Sequence, residues 1–346
     1  MDQTLNQRDP ALDAVRAIAI VMVVAIHTAS PALSAQVGTG SWWAALFWGS
    51  LIRPAVPLFF MCSGALLLSR DIPLKRLYGH NFLRILVILL FWALVAQGYR
   101  LVAAGITPAG IWNAVKNVLL FRHETHFYFL HILLLVYVFL PITRVFVRNA
   151  TEKELRYFLI VWAVTGILIP LLQYFPPFSA IAPVRDWYRM NIAYSSIGYG
   201  VLGHYLRQHG RTVPRKWYLL SLSAGVAVIF AGTALASLHE GRLVEIFLDG
   251  WSPGALLFAL GLFGLVLSVR NWKPALVRFT GRLSSASLCI YLIHGVFLEV
   301  LEKLGLTATV FFPLVSIPAI VILVIALNWL VYEVLCRIPI VRTWLV

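Results

Sequence analysis

Charge is what this chain has least of. Only 12% of its 346 residues are Asp, Glu, Lys or Arg, about half the share of a soluble domain. Acids are the scarcer sign, 14 against 28 Lys and Arg, while 60% of the residues are hydrophobic. That balance excludes a soluble globular protein and points to an integral membrane protein that is almost all membrane domain. Cysteine is also scarce. Cys62, Cys289 and Cys336 each fall within an apolar run, with no spacing for a zinc site or a disulfide framework. They read as small buried hydrophobes, and no metal is expected. No internal repeat is visible. The net charge of +14 would suggest nucleic acid in a soluble protein. Here the basic residues lie between apolar runs, so they read as a topology signal and as attraction for anionic membrane lipid. No nucleic-acid partner is expected.

What is present is a series of apolar runs, at 12–34, 44–69, 82–103, 127–147, 155–175, 191–206, 217–238, 252–270, 285–303 and 309–335. Each is long enough, or nearly so, to cross a bilayer. The first is preceded by acids as well as Arg8 and Arg16 and contains His27, so it reads as a span rather than a cleaved signal. The run at 191–206 is the weakest, diluted by Ser195, Ser196, Gly198, Gly200, Gly203 and His204. The segment 110–121 is too short to cross and reads as an interfacial amphipathic helix. The expected architecture is therefore all-α, a single membrane domain of about ten transmembrane helices with no fused soluble domain. Twenty of the 28 Lys and Arg fall in the connections on one side of these spans, which predicts that both termini are cytoplasmic. The opposite side has the longer connections, 104–126, 176–190 and 239–251. They carry His126, Trp187, Asp249 and Trp251 among other aromatic and acidic residues, a mixture suited to a sugar as well as to an interfacial aromatic belt.

Several polar side chains fall where the bilayer makes them costly, and such residues mark pathways or sites. Eleven residues at ~1.5 Å each place His27 about 16 Å beyond Arg16, past the middle of a hydrocarbon core roughly 30 Å thick. Arg53 lies at a similar distance from the outer end of the second run. An imidazole beside a fixed guanidinium can take a proton while the cation stabilises an oxyanion. Pro57-Leu-Phe-Phe-Met-Cys-Ser-Gly64 follows, where proline and glycine permit irregular backbone or close helix packing. Lys75, Arg76, His80 and Arg84 form a basic cluster at the start of the third span, fit to hold phosphates. His126 stands at the outer end of the fourth span, and Tyr291 and His294 share a face of the ninth.

Together these residues resemble acyltransferase family 3, membrane O-acyltransferases that acylate cell-surface polysaccharides. The resemblance is carried by Asp13-x-x-Arg16-(x10)-His27, by Arg53 with Val56-Pro-Leu-Phe-Phe-Met-x-Ser-Gly64, by the basic start of the third span, by His126-x-x-Phe129 with Tyr137 and Pro141, by Gly198-Tyr-Gly-x-Leu-Gly203 and by Ser287-x-x-Ile-Tyr-Leu-x-His294. It implies a multi-pass protein of the bacterial inner membrane. The donor would be cytoplasmic acyl-CoA, acetyl-CoA above all, and the acceptor a lipid-linked or polymeric saccharide on the outer face. It implies donor contacts at Arg16, Lys75, Arg76, His80 and Arg84, and chemistry at His27 with Arg53. His126, Tyr291 and Trp187 are the residues expected at the acceptor. The chain departs from the family pattern at the third span, where Asn81 stands in place of the first arginine of an Arg-x-x-Arg pair. A proton-coupled transporter or polysaccharide exporter is the main rival reading, since buried His and Arg with broken helices also suit a porter.

Overall fold

The computed structural model describes residues 8–122, 125–181 and 192–345, and among these every regular element is helical. In chain order the helices are α1 (Pro10–Leu33), α2 (Gly40–Ile52), α3 (Ala55–Leu67), α4 (Leu74–Ala104), α5 (Pro108–Leu119), α6 (Tyr128–Asn149), α7 (Glu152–Leu172), α8 (Ile192–His209), α9 (Arg215–Glu240), α10 (Pro253–Leu267), α11 (Pro274–Lys303), α12 (Pro313–Leu335) and α13 (Pro339–Trp344). Eight segments are long and apolar enough to cross a membrane: α1, α2 with α3, α4, α6, α7, α9, α11 and α12. The two remaining apolar runs form the shorter helices α8 and α10. The short segment expected to lie at the interface is α5, an amphipathic helix of 12 residues that buries only Val118.

The chain divides into two compact units, one of residues 1–70 and 143–329, the other of residues 71–142 and 330–346. The first unit is built around α1, which packs on α2, α3, α10 and α11. Asp9 caps α1, its carboxylate accepting from the Ala11 N–H at 3.1 Å. Asp13 accepts from the Ser284 hydroxyl at 2.7 Å and lies 3.8 Å from the Arg8 guanidinium. Arg207 of α8 closes the same end, 3.3 Å from Asp9 and donating to the Ala65 carbonyl at 2.7 Å. The aspartate of the Asp-x-x-Arg motif is thus a fastener between α1 and α11, and these two helices run in the same direction.

Glycine lets the other helices approach backbone to backbone. A Cβ on Gly64 would lie 1.9 Å from the Gly200 carbonyl oxygen, and one on Gly203 would lie 2.1 Å from the Met61 carbonyl oxygen. Only glycine permits α3 and α8 to touch this way, as small residues do throughout membrane bundles. The Gly198-Tyr-Gly-x-Leu-Gly203 motif is therefore a packing surface.

Among the described residues the backbone departs from the expected regular spans in three places. The second run breaks at Arg53–Pro54, upstream of the Pro57–Gly64 segment, which is regular helix. Pro54 has no N–H to donate into the preceding turn, so α2 stops at Ile52 and α3 restarts at Ala55, with the Leu58 N–H bonded to the Pro54 carbonyl at 2.9 Å. The third span begins earlier than the apolar run does. It opens with Leu74–Arg76 and passes through a π-helical stretch, Leu77–Phe82. A second π-helical stretch, Ala163–Leu168 in α7, presents the Gly166 carbonyl to the Ser195 hydroxyl at 3.0 Å.

Candidate active site

His27 and Arg53 belong to the same unit, on α1 and at the α2–α3 break. The guanidinium is close enough for its charge to act on the imidazole. His27 keeps accessible surface although protein atoms crowd it on most sides. That combination describes a side chain lining a cleft. Arg16 is half-buried and makes no ion pair among the described residues. It stands on nearly the same face of α1 as His27, since eleven residues turn a helix through three circles and about 20°.

A second histidine completes the group. The His294 ring is fully buried and its centroid lies 5.0 Å from that of His27. Its Nδ1 is 2.7 Å from the Tyr291 carbonyl and 3.1 Å from that of Ile290. Carbonyls only accept, so these partners assign the proton to Nδ1. Tyr291 is buried beside it, the two rings 6.3 Å apart. The shared face of Tyr291 and His294 expected from their spacing is therefore the face that meets α1.

The connection before α10 caps the α2–α3 break. The Tyr199 hydroxyl donates to the Gly250 carbonyl at 3.1 Å, and a Cβ on Gly250 would meet Pro57 at 3.4 Å and the Arg53 carbonyl at 3.7 Å. This seats Asp249 where the Arg53 charge also acts on it. Burial pushes the Asp249 carboxyl above its ordinary value of 3.8 and Glu245 adds to that, against the Trp251 N–H, which donates to the carboxylate at 3.1 Å, and against Arg53. The carboxylate still reaches solvent. A cleft with an imidazole, a guanidinium and a carboxylate can move a proton, hold an oxyanion and bind hydroxyls.

The other expected site residues are distributed differently. Lys75, Arg76, His80 and Arg84 lie in the second unit. Lys75 and Arg76 are exposed, His80 stacks on Trp344 with centroids 5.8 Å apart, and Arg84 is half-buried within electrostatic reach of Tyr137. His126 is in the second unit too, its ring 4.6 Å from that of Phe127. Trp187 lies outside the described residues. Of the described residues expected at the acceptor, Tyr291 is in the unit that holds His27 and His126 is not. The sequence assigns no individual site role to His294, Asp249 or Tyr199. The Tyr291-x-x-His294 spacing was a usable signal for the first, Asp249 stood only among the acids of an outer connection suited to a sugar, and Tyr199 only within the Gly198–Gly203 motif.

Fold and site together define a multi-pass helical membrane protein with a histidine–arginine cleft at a broken helix. The sequence profile of acyltransferase family 3, described as an acyltransferase domain, matches residues 9–333. The chain belongs to that family, and its general activity is acyl transfer. No curated protein and no solved structure matches the chain.

Proposed function

We propose that this protein moves an acyl group, acetyl first of all, from cytoplasmic acyl-CoA to a hydroxyl of a lipid-linked or cell-surface saccharide, across the bacterial inner membrane. The observation that carries this reading is the His27 cleft, where the ring meets His294 and Arg53 acts on it. Two routes fit the geometry. In the first, His27 takes the proton of the acceptor hydroxyl as the oxygen attacks the thioester carbonyl. Arg53 holds the tetrahedral oxyanion. Its collapse breaks the C–S bond, and the thiolate of coenzyme A recovers the proton. In the second, the neutral His27 nitrogen attacks the thioester, the C–S bond breaks and coenzyme A leaves as its thiolate. The acceptor hydroxyl then attacks the acyl-imidazole, the N–C bond breaks to return neutral His27, and the hydroxyl proton goes to the thiolate. Both routes have Nδ1 of His294 bonded to carbonyls, which fixes the ring that steadies His27.

Charge sets the assignment of the two substrates. Arg16 and the basic cluster of Lys75, Arg76, His80 and Arg84 suit the donor's phosphates. Both termini then face the cytoplasm. His126, Tyr291 and Trp187 are assigned to the acceptor, joined by Asp249, since a carboxylate that reaches solvent beside a reactive centre is a natural partner for sugar hydroxyls. The deciding experiment uses protein purified in detergent, radiolabelled acetyl-CoA and a surface glycan extract. Label reaching glycan with wild type and not with His27→Ala supports the reading. Glycan labelling that persists in His27→Ala removes the histidine from the mechanism. Sugar flux into vesicles without any acyl-CoA favours transport instead.

A further inference from the structure

At the end of the first unit that carries Asp9 and Arg207, two connections converge on one space. Arg211, after α8, and Ser268, Arg270 and Trp272, after α10, line a cavity of about 480 Å3. An adjoining cavity of about 440 Å3 shares Arg211, Ser268 and Arg270 and adds Arg215. Both volumes fall in the range of ligand sites. Arg215 is tied down: its guanidinium donates to the Ser268 carbonyl at 2.5 Å and to the Ser268 hydroxyl at 3.1 Å. Arg211 and Arg270 make no hydrogen bond or ion pair among the described residues. The one acid lining the cavity, Asp9, is already bonded to Arg207 and to the first turn of α1.

We propose that this cavity binds the phosphate of an anionic phospholipid headgroup. Two free guanidiniums flanked by a half-buried indole supply charge and donors for a phosphate oxygen cluster. Basic pockets between membrane helices take such headgroups. The apolar lining from Leu267 and Val269 suits the glycerol region. The start of α9 exposes Trp217, Leu219 and Leu220, with the Lys216 ammonium 5.6 Å from the centre of the Trp217 ring. That is the pattern of a helix entering lipid, and it gives the acyl chains an apolar surface next to the arginines. The cavity belongs to a different side of α1 from the catalytic cleft. Ala11, which lines it, stands about 160° around the helix from His27. The lipid site therefore does not depend on the acyl-transfer reading.

The test is retention of phosphatidylglycerol. The protein is reconstituted in phosphatidylcholine nanodiscs containing phosphatidylglycerol, released into detergent, and the lipid it keeps is measured by native mass spectrometry. Wild type is expected to retain phosphatidylglycerol. The Arg211→Ala, Arg270→Ala double variant is expected to bind it roughly thirtyfold more weakly. The Arg211→Lys, Arg270→Lys variant keeps the charge and most of the lipid, which separates lost binding from lost folding. Equal retention by wild type and the double alanine variant overturns the site. Displacement of the lipid by ATP or inorganic phosphate at low concentration, lost in the alanine variant, assigns the cavity to a soluble phosphate and overturns the lipid assignment.

Discussion

His27 and His294 meet ring to ring across the interface of α1 and α11, their centroids 5.0 Å apart and their planes inclined by 45°. One ring lines the cleft and the other is sealed behind it with Nδ1 committed to backbone carbonyls. The two histidines therefore have different tasks. Replacing His27 with Ala is expected to lower kcat/KM for acyl transfer by about 10²–10⁴. His294→Ala should lower kcat with little change in the KM for acyl-CoA, and it should alter the pH–rate profile. His294→Gln, whose amide still donates to a carbonyl, should recover part of the rate. Unchanged pH–rate profiles in both His294 variants would count against a positioning role.

Arg53 sits at the unwound joint between α2 and α3 and acts on both His27 and Asp249. In the proposed mechanism it stabilises charge that exists only during reaction. Arg53→Ala should cost about 10²–10³ in kcat, with acyl-CoA binding retained by calorimetry. Arg53→Lys should fall between, because the charge stays but the fork of donors is lost.

Asp249 provides a pH prediction. Burial raises its folded pKa above the unfolded value. Its contribution to stability is then fully present below the unfolded pKa and is lost as pH rises through the folded one. Asp249→Asn removes that loss. Its melting temperature in detergent should rise relative to wild type as pH goes from about 4 to 7. The same variant should raise the KM for the glycan acceptor while leaving slow hydrolysis of acetyl-CoA in place. A variant that loses hydrolysis and transfer alike would move Asp249 from the acceptor to the chemistry.

Glycine positions separate packing from permissiveness. Gly203→Ala drives a methyl into the Met61 backbone, which cannot rotate away, so a loss of about 1–3 kcal/mol or more is expected. Gly98, inside α4, has nothing within 4 Å of the place a methyl would occupy. Gly98→Ala should be neutral or stabilising by up to about 1 kcal/mol. Thermal unfolding of the two variants side by side measures the contrast.

Much of this was legible along the chain because the bilayer imposes a simple rule on sequence. Runs such as those that form α1 and α12 must be apolar, and a polar residue like His27 inside one stands out against them. The depth match of His27 and Arg53 followed from counting residues at a fixed rise. The helix break was harder to place. Pro57 drew attention, yet α3 absorbs it within its first turn, where a missing N–H costs little, and Pro54 is the residue that stops α2. The glycines near 198–203 were visible as a motif, while their purpose depended on the facing backbone of Met61 and Gly64.

The sequence by itself determined that this is a helical membrane protein, where its apolar runs lie, and which ionisable side chains fall among them. Those properties are local: they depend on hydropathy, on rise per residue and on the side of the membrane to which basic residues fall. Tertiary structure alone decided that His294 backs His27, that Asp249 faces Arg53, and that Asp13 fastens α1 to α11. Those pairings join residues more than a hundred positions apart, and they exist only because the packing of α1 on α11, and of the connection before α10 on the α2–α3 break, brings distant segments side by side.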